Sequence, residues 1–154
     1  MVQTTTRVEQ GTKQTFARHE TFHLRDGWLY KGLQAVKKDG RALFATDAHH
    51  NLGVGLNMSK SLLYWIQATG LAEPDDVSRS HTTSLALTET ARLIDEYDPY
   101  LEDIGTMWVL HANLASNREF ATFWFWMFND LAQRDFNDDR MVARATELIE
   151  EKME

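Results

Sequence analysis

The sequence predicts a mainly α-helical fold, a winged helix-turn-helix domain followed by an aromatic-rich helical bundle, on three observations. Two helical patterns are interrupted by Leu52-Gly53-Val54-Gly55, a turn with glycines where a residue tolerant of positive φ is needed. A β-favouring run from Arg79 to Leu87 leads into Thr88, a good helix cap. Beyond Asp98-Pro99, the stretches MWVLHANLA and FATFWFWMFN are apolar almost all round, as in helices that are buried or lie in an interface.

In chain order, residues 1–14 are polar and form an expected mobile tail. Thr15 to Arg25 alternates imperfectly and reads as an extended segment or loop. Asp26 is an expected cap for a helix from Gly27 to about Lys38, with Trp28, Leu29, Leu33 and Val36 on its apolar side; Asp39-Gly40 ends it. The central stretch Phe44–Glu73 then holds the helix-turn-helix. Asn57 or Ser59 is the expected cap of its second helix, and Gly70 suits the left-handed position that closes it. On a helical wheel Met58, Leu62, Trp65, Ile66 and Thr69 share one face, while Asn57, Lys60, Tyr64 and Gln67 occupy the other. That is the layout of a recognition helix, with Arg79 and His81 expected near the tip of the wing.

Pro74-Asp75-Asp76 reads as a turn, and Thr88 starts a helix through about Tyr97. Residues 15–98 thus make the expected winged helix-turn-helix domain. Residues 99–154 make a helical extension packed on it or forming a dimer interface, with helices over Ile104–Ala115, Glu119–Leu131 and about Asp138–Lys152. The last of these places Met141, Val142, Ala145, Leu148 and Ile149 on one side.

The 154 residues suffice for one sizeable core. Zero cysteines exclude disulfides, thiolate nucleophiles and the usual structural zinc sites. No apolar run approaches the ~20 residues needed to span a bilayer, so a cytoplasmic location without a membrane partner is expected. Net charge is −7, but unevenly spread: residues 1–60 hold nine Lys/Arg against five Asp/Glu, and residues 61–154 hold seven against eighteen. Any electrostatic attraction to DNA therefore falls on the first part of the chain.

His19, Glu20, His23 and Arg25 form the densest ionisable cluster and are the candidate catalytic residues. A histidine there could act as general base, and His19, Glu20 and His23 could hold a divalent metal. The competing reading is that they anchor the N-terminal segment by hydrogen bonds and ion pairs. His49 and His50 are adjacent on a helix and point about 100° apart, which disfavours a shared metal. His111 reads as a core histidine. The run Asp95, Glu96, Asp98, Glu102 and Asp103 reads as a solvated, helix-terminating face rather than a nuclease metal site. No phosphate loop, dinucleotide fingerprint or nucleophile elbow is present, and no cofactor is evident; a divalent metal is implied only if the chain is a nuclease. Leu56, Leu63, Phe123, Trp124 and Trp126 are candidate interface residues. A base-stacking role for the aromatic helix is the weaker reading, because only Arg118 lies near it in sequence.

The segments FARHETFHLRDGWLYKGL, LGVGLNMSKSLLYW, and DPYLEDIGTMWVLHANLASN with ATFWFWMFN resemble, in that order, a bacterial domain of unknown function carried in DNA phosphorothioation cassettes, the SspB-type component of the Ssp antiphage system. The resemblance covers about residues 15 to 130. It implies a double-stranded-DNA-directed component working with a cysteine desulfurase, an ATPase and an ATP-pyrophosphatase-like protein, with DNA nicking as the associated activity. It also implies a longer protein, of which this chain is an N-terminal portion or a short relative. Leu56 and Leu63 stand where the resemblance implies Lys or Arg, leaving Lys60 as the cation of the motif. The expected function is DNA binding in phosphorothioation-based defence, contributing to nicking; the alternative is a non-catalytic winged-helix module that homodimerises or docks a partner.

Overall fold

The structure, a computed structural model, describes residues 19–75, 83–131 and 137–153. Helices α1 (Trp28–Lys38), α2 (Ala48–Leu52) and α3 (Leu56–Ala68) are followed by strands β1 (Ala72–Pro74) and β2 (Leu85–Leu87). Then come α4 (Glu89–Tyr97), α5 (Ile104–Ser116), α6 (Thr122–Phe125) running into a π-helical turn at Trp126–Asp130, and α7 (Asp138–Met153). The described chain is mainly helical, with one two-stranded sheet.

The core forms where α1 crosses α3. Trp28, Leu29, Leu33 and Val36 are buried on the expected side of α1, and Leu62, Trp65 and Ile66 on that of α3. A methyl at Gly32 would sit 2.6 Å from Ile66 Cδ1 and 2.8 Å from Leu62 Cδ2, so the missing side chain sets how closely the two helices approach. Asp26 does not cap α1. Gly27 holds that position with a left-handed backbone and leaves Asp26 exposed outside the helix. Gly40 does more than end α1. Its carbonyl accepts from Leu85 N–H at 2.9 Å, and a Cβ there would lie 2.3 Å from the Leu85 carbonyl oxygen, so only glycine lets this turn meet β2.

β1 and β2 pair antiparallel, with Ala72 opposite Leu87 and Pro74 opposite Leu85. Thr88 caps α4 as expected, its side chain accepting from Ala91 N–H at 3.1 Å. Its hydroxyl also donates to Gly70 O at 2.7 Å, which ties the start of α4 to the end of α3.

The aromatic segment departs most from expectation. In place of one helix from Glu119 to Leu131, α6 starts at Thr122 because Asn117 organises the preceding turn: its side chain accepts from Phe120 N–H at 3.0 Å and its carbonyl from Ala121 N–H at 2.9 Å. The helix then widens, with Leu131 N–H reaching Trp126 O, a five-residue step. α5 is not buried all round. Leu110 and Leu114 are its buried residues, and Ile104 and Trp108 are 73% and 66% exposed. No described helix is long and apolar enough to cross a membrane.

Candidate functional site

α3 is the element around which the candidate residues gather. It starts at Leu56 with Gly55 in the cap position and no side-chain cap, so neither Asn57 nor Ser59 plays that role. The Ser59 hydroxyl instead donates back to Leu56 O at 2.7 Å. The other end closes as expected. Gly70, at φ 71°, allows Leu71 N–H to reach Ile66 O and Gly70 N–H to reach Gln67 O, both at 3.0 Å, the paired bonds of a Schellman motif.

Carbonyls left over at that end are met from a distance. Asn113 Nδ2 donates to Thr69 O at 3.2 Å and Asn117 Nδ2 to Ala68 O at 3.1 Å. These two asparagines went unnoticed in sequence; the available signal was a pair of amides four residues apart in an otherwise apolar helix.

Of the four residues expected on the exposed face of α3, Asn57 and Lys60 are exposed and Gln67 is half-buried, its amide donating to Leu63 O. Tyr64 is buried, and its hydroxyl donates to Phe120 O at 2.9 Å. The helical wheel misplaced it because the segment before α6 covers that flank of α3, and burial pushes the phenol up to about 12. Leu56 is 55% exposed, while Leu63 packs against the core. Arg79 and His81 lie outside the described residues.

Residues 19–26 lie along α3 and bring two candidates to one place. Glu20 and Thr21 adopt left-handed backbone angles, φ 50° and 64°, in a turn closed by Phe22 N–H to His19 O at 2.8 Å. The Phe22 carbonyl then accepts from Trp65 Nε1 at 3.1 Å and Ser61 Oγ at 3.3 Å, which fastens the loop to α3. His19 and His23 thereby line a cavity of about 240 Å³ with Tyr64, Trp65, Ala121, Phe123 and Trp124. The His19 ring centroid lies 6.0 Å from those of both Tyr64 and Trp65.

Glu20 and Arg25 do not join that cavity. Glu20 is exposed, and the Arg25 guanidinium sits 5.5 Å from the Phe22 ring centroid and 5.7 Å from that of Trp28. Arg25 lines a second cavity, of about 270 Å³, with Tyr30, Tyr100 and Met107 among its walls. Trp126 is half-buried beside Phe123, their centroids 5.6 Å apart.

Among the described residues no three His, Asp or Glu side chains converge in a way that would hold a metal ion. The acidic run has structural roles instead. Asp95 pairs with Lys37 at 2.6 Å, Asp98 accepts from the backbone N–H groups of Glu102 and Asp103, and Asp103 caps α5 through Gly105 N–H. Hydrogen bonds from Thr106 and those two backbone groups hold the Asp98 carboxyl below its ordinary value. The His49 and His50 rings lean together, centroids 4.1 Å apart, rather than splaying. His111 is half-buried, edge-on to Trp108 and Phe128. The cavity beside α3 therefore offers aromatic walls and imidazole hydrogen-bonding groups, with no carboxylate among the described residues of its lining.

The sequence model of a family described as a protein of unknown function, DUF4007, matches residues 16–154. A magnesium ion-bound SspB crystal structure aligns at TM-score 0.66 and 38% identity, over 74% of this chain and 36% of that one. Another SspB crystal structure aligns at TM-score 0.58 and 43% identity, over 65% of this chain and 31% of that one. The chain spans about a third of the length of those SspB structures. No curated protein sequence matches it. The likeness to SspB agrees with the one carried by the three sequence segments.

Proposed function

This chain belongs to the DUF4007 family, and we propose that it is a DNA-binding component of a bacterial DNA phosphorothioation and antiphage defence system. The observation that carries this reading is the kinship with SspB, at 38% identity over 74% of the chain. In this reading α2, its glycine turn and α3 form the helix-turn-helix, β1 and β2 form the stem of a wing, and residues 99–154 form a helical extension. Asn57 and Lys60, both exposed on α3, contact the duplex, assisted by Arg79 and His81. The work is done in the cytoplasm alongside a cysteine desulfurase, an ATPase and an ATP-pyrophosphatase-like protein.

A salt-dependent titration against duplex DNA, with and without phosphorothioate, tests the reading. Lys60→Glu should weaken binding to all sequences and lower the salt slope by about 0.9 for each phosphate that is no longer neutralised. Unchanged affinity would remove α3 from the interface. A contribution to nicking is proposed for His19 and His23, which share a cavity, with Glu20 and Arg25 on the same loop. Supercoiled plasmid that stays intact with and without Mg²⁺ would end that part of the proposal.

A second reading, a non-catalytic dimerisation or docking module, is favoured by the exposure of Leu56, Ile104 and Trp108. It requires a homodimer or a bound partner, and sedimentation of a monomer at micromolar concentration would count against self-association.

A further inference from the structure

We propose that the cavity between the His19–His23 loop, α3 and α6 receives a single unstacked nucleobase of the bound DNA. This rests on the DNA-binding reading above and goes beyond it by naming what enters the molecule. Four features of the lining carry the inference.

The walls are aromatic. Tyr64, Trp65, Phe123 and Trp124 surround the space, and rings of this kind stack on any base through its π-face. Among the described residues the lining has no Lys, Arg, Asp or Glu, so neither a phosphate nor a metal ion finds a counter-charge there. At about 240 Å³ the cavity is smaller than the ~300 Å³ at which sites for drug-sized ligands begin, which fits one heterocycle rather than a larger molecule.

The polar groups are also sorted. The Tyr64 hydroxyl and the Trp65 indole N–H are engaged by the carbonyls of Phe120 and Phe22, so two of the walls are locked in place. Among the described residues the imidazoles of His19 and His23 take no hydrogen-bond partner, and a neutral imidazole offers one donor and one acceptor to the edge of a base.

Two exposed cations lie on the elements that form the cavity, one on α3 and one just ahead of α6, and are available to the backbone of an extruded nucleotide. Lys60 is exposed one helical turn before Tyr64, at the i, i+4 spacing that places both on one side of α3. Arg118 is exposed, its guanidinium 5.6 Å from the Phe125 ring centroid. The aromatic helix has little basic company in sequence beyond Arg118, and the fold adds Lys60 from α3.

The test compares a matched duplex with the same duplex carrying one unpaired adenine, whose extrusion costs less. The full chain should bind the bulged duplex about tenfold or more tightly than the matched one. Trp124→Ala should bring that ratio close to one. Because Trp124→Ala removes a packed ring, His23→Ala serves as a second variant at an exposed position and should lower the ratio as well. Lys60→Glu should weaken both complexes and leave the ratio in place. Equal binding of the two duplexes by the unaltered chain would overturn the base pocket and leave the DNA-binding reading standing. A preference that survives both Trp124→Ala and His23→Ala would also overturn it. Binding of neither duplex would overturn both readings together.

Discussion

α3 and α5 are both 13 residues long, yet they stand in opposite relations to solvent. α3 contains Lys60 and two serines and buries seven residues, Ser59 and Ser61 among them. α5 has no Lys, Arg, Asp or Glu and buries only Leu110 and Leu114. Apolar composition therefore does not decide which helix goes inside. α3 is central because α1, the β ribbon, the 19–26 loop and the segment before α6 all converge on it. α5 puts Leu110 and Leu114 into the core it shares with α3, while Asn113 and, just past its end, Asn117 donate to the carbonyls that end α3, and Ile104, Trp108 and Val109 face outward.

The sharpest way to break this comparison is to truncate one large side chain in each helix. Ile66 is fully buried against α1, so Ile66→Ala should cost about 2–5 kcal/mol from reduced burial and the cavity left behind. Trp108 is 66% exposed, so Trp108→Ser should stay within about 0.5 kcal/mol in spite of the larger side chain removed. Urea unfolding of both variants measures the difference. A loss above about 2 kcal/mol for Trp108→Ser would mean that the outer face of α5 is covered in solution, which is what the docking-module reading requires.

Elements set by neighbours in sequence could be read without the structure. Thr88 caps α4, Gly53 turns between α2 and α3, and Gly70 closes α3 because each needs only its own backbone and the next few residues. Mainly helical architecture followed from the same local signals. What stayed hidden depends on pairs far apart. Tyr64 looked exposed on a wheel because the wheel has no knowledge of Phe120, 56 residues on. His19 and His23 looked like members of a single four-residue ionisable cluster, whereas the turn at Glu20 and Thr21 sends them to Phe123 and Trp124 and leaves Arg25 on Phe22 and Trp28. Asn117 could not be told from an ordinary helix-ending asparagine until its amide was found on the end of another helix.

The seam between the two regions should be the next most sensitive place. Asn117→Ala leaves the Ala68 carbonyl and the Phe120 N–H without their side-chain partner, and should cost about 1–3 kcal/mol. If the unfolding midpoint hardly moves, water replaces the amide and the seam is wetter than its geometry implies. Tyr64→Phe removes a single bond to Phe120 O and should cost about 1 kcal/mol. Burial raises the Tyr64 phenol from 10.0 to about 12. The stabilisation tied to that raised value is complete below the unfolded value of about 10 and is lost as pH rises through the folded one. Absorbance titration should therefore show one late-ionising tyrosine that Tyr64→Phe abolishes.

The smallest effect belongs to a surface tie within the α1–α4 part of the molecule. Lys37 Nζ lies 2.6 Å from Asp95 Oδ2, and Gln34 Nε2 donates to Oδ1 of the same carboxylate at 3.3 Å. The bond from Lys37 is the largest influence holding the Asp95 carboxyl below its usual value; partial desolvation opposes it, and the Gln34 bond and the Lys37 charge assist. Because Lys37 is half exposed, the pair is screened, and Asp95→Asn should cost less than about 1 kcal/mol near neutral pH. A depressed carboxyl contributes stability that is complete above the unfolded value of about 3.9 and is lost as pH falls through the folded one. The gap between the native chain and Asp95→Asn should accordingly close on acidification. A gap that stays constant to pH 2 would place the effect in helix packing rather than in the ion pair. α4 would then owe its place to its packing beside β2 and the burial of Ala91 and Ile94, the kind of apolar burial that fixes α3 and that α5 largely forgoes.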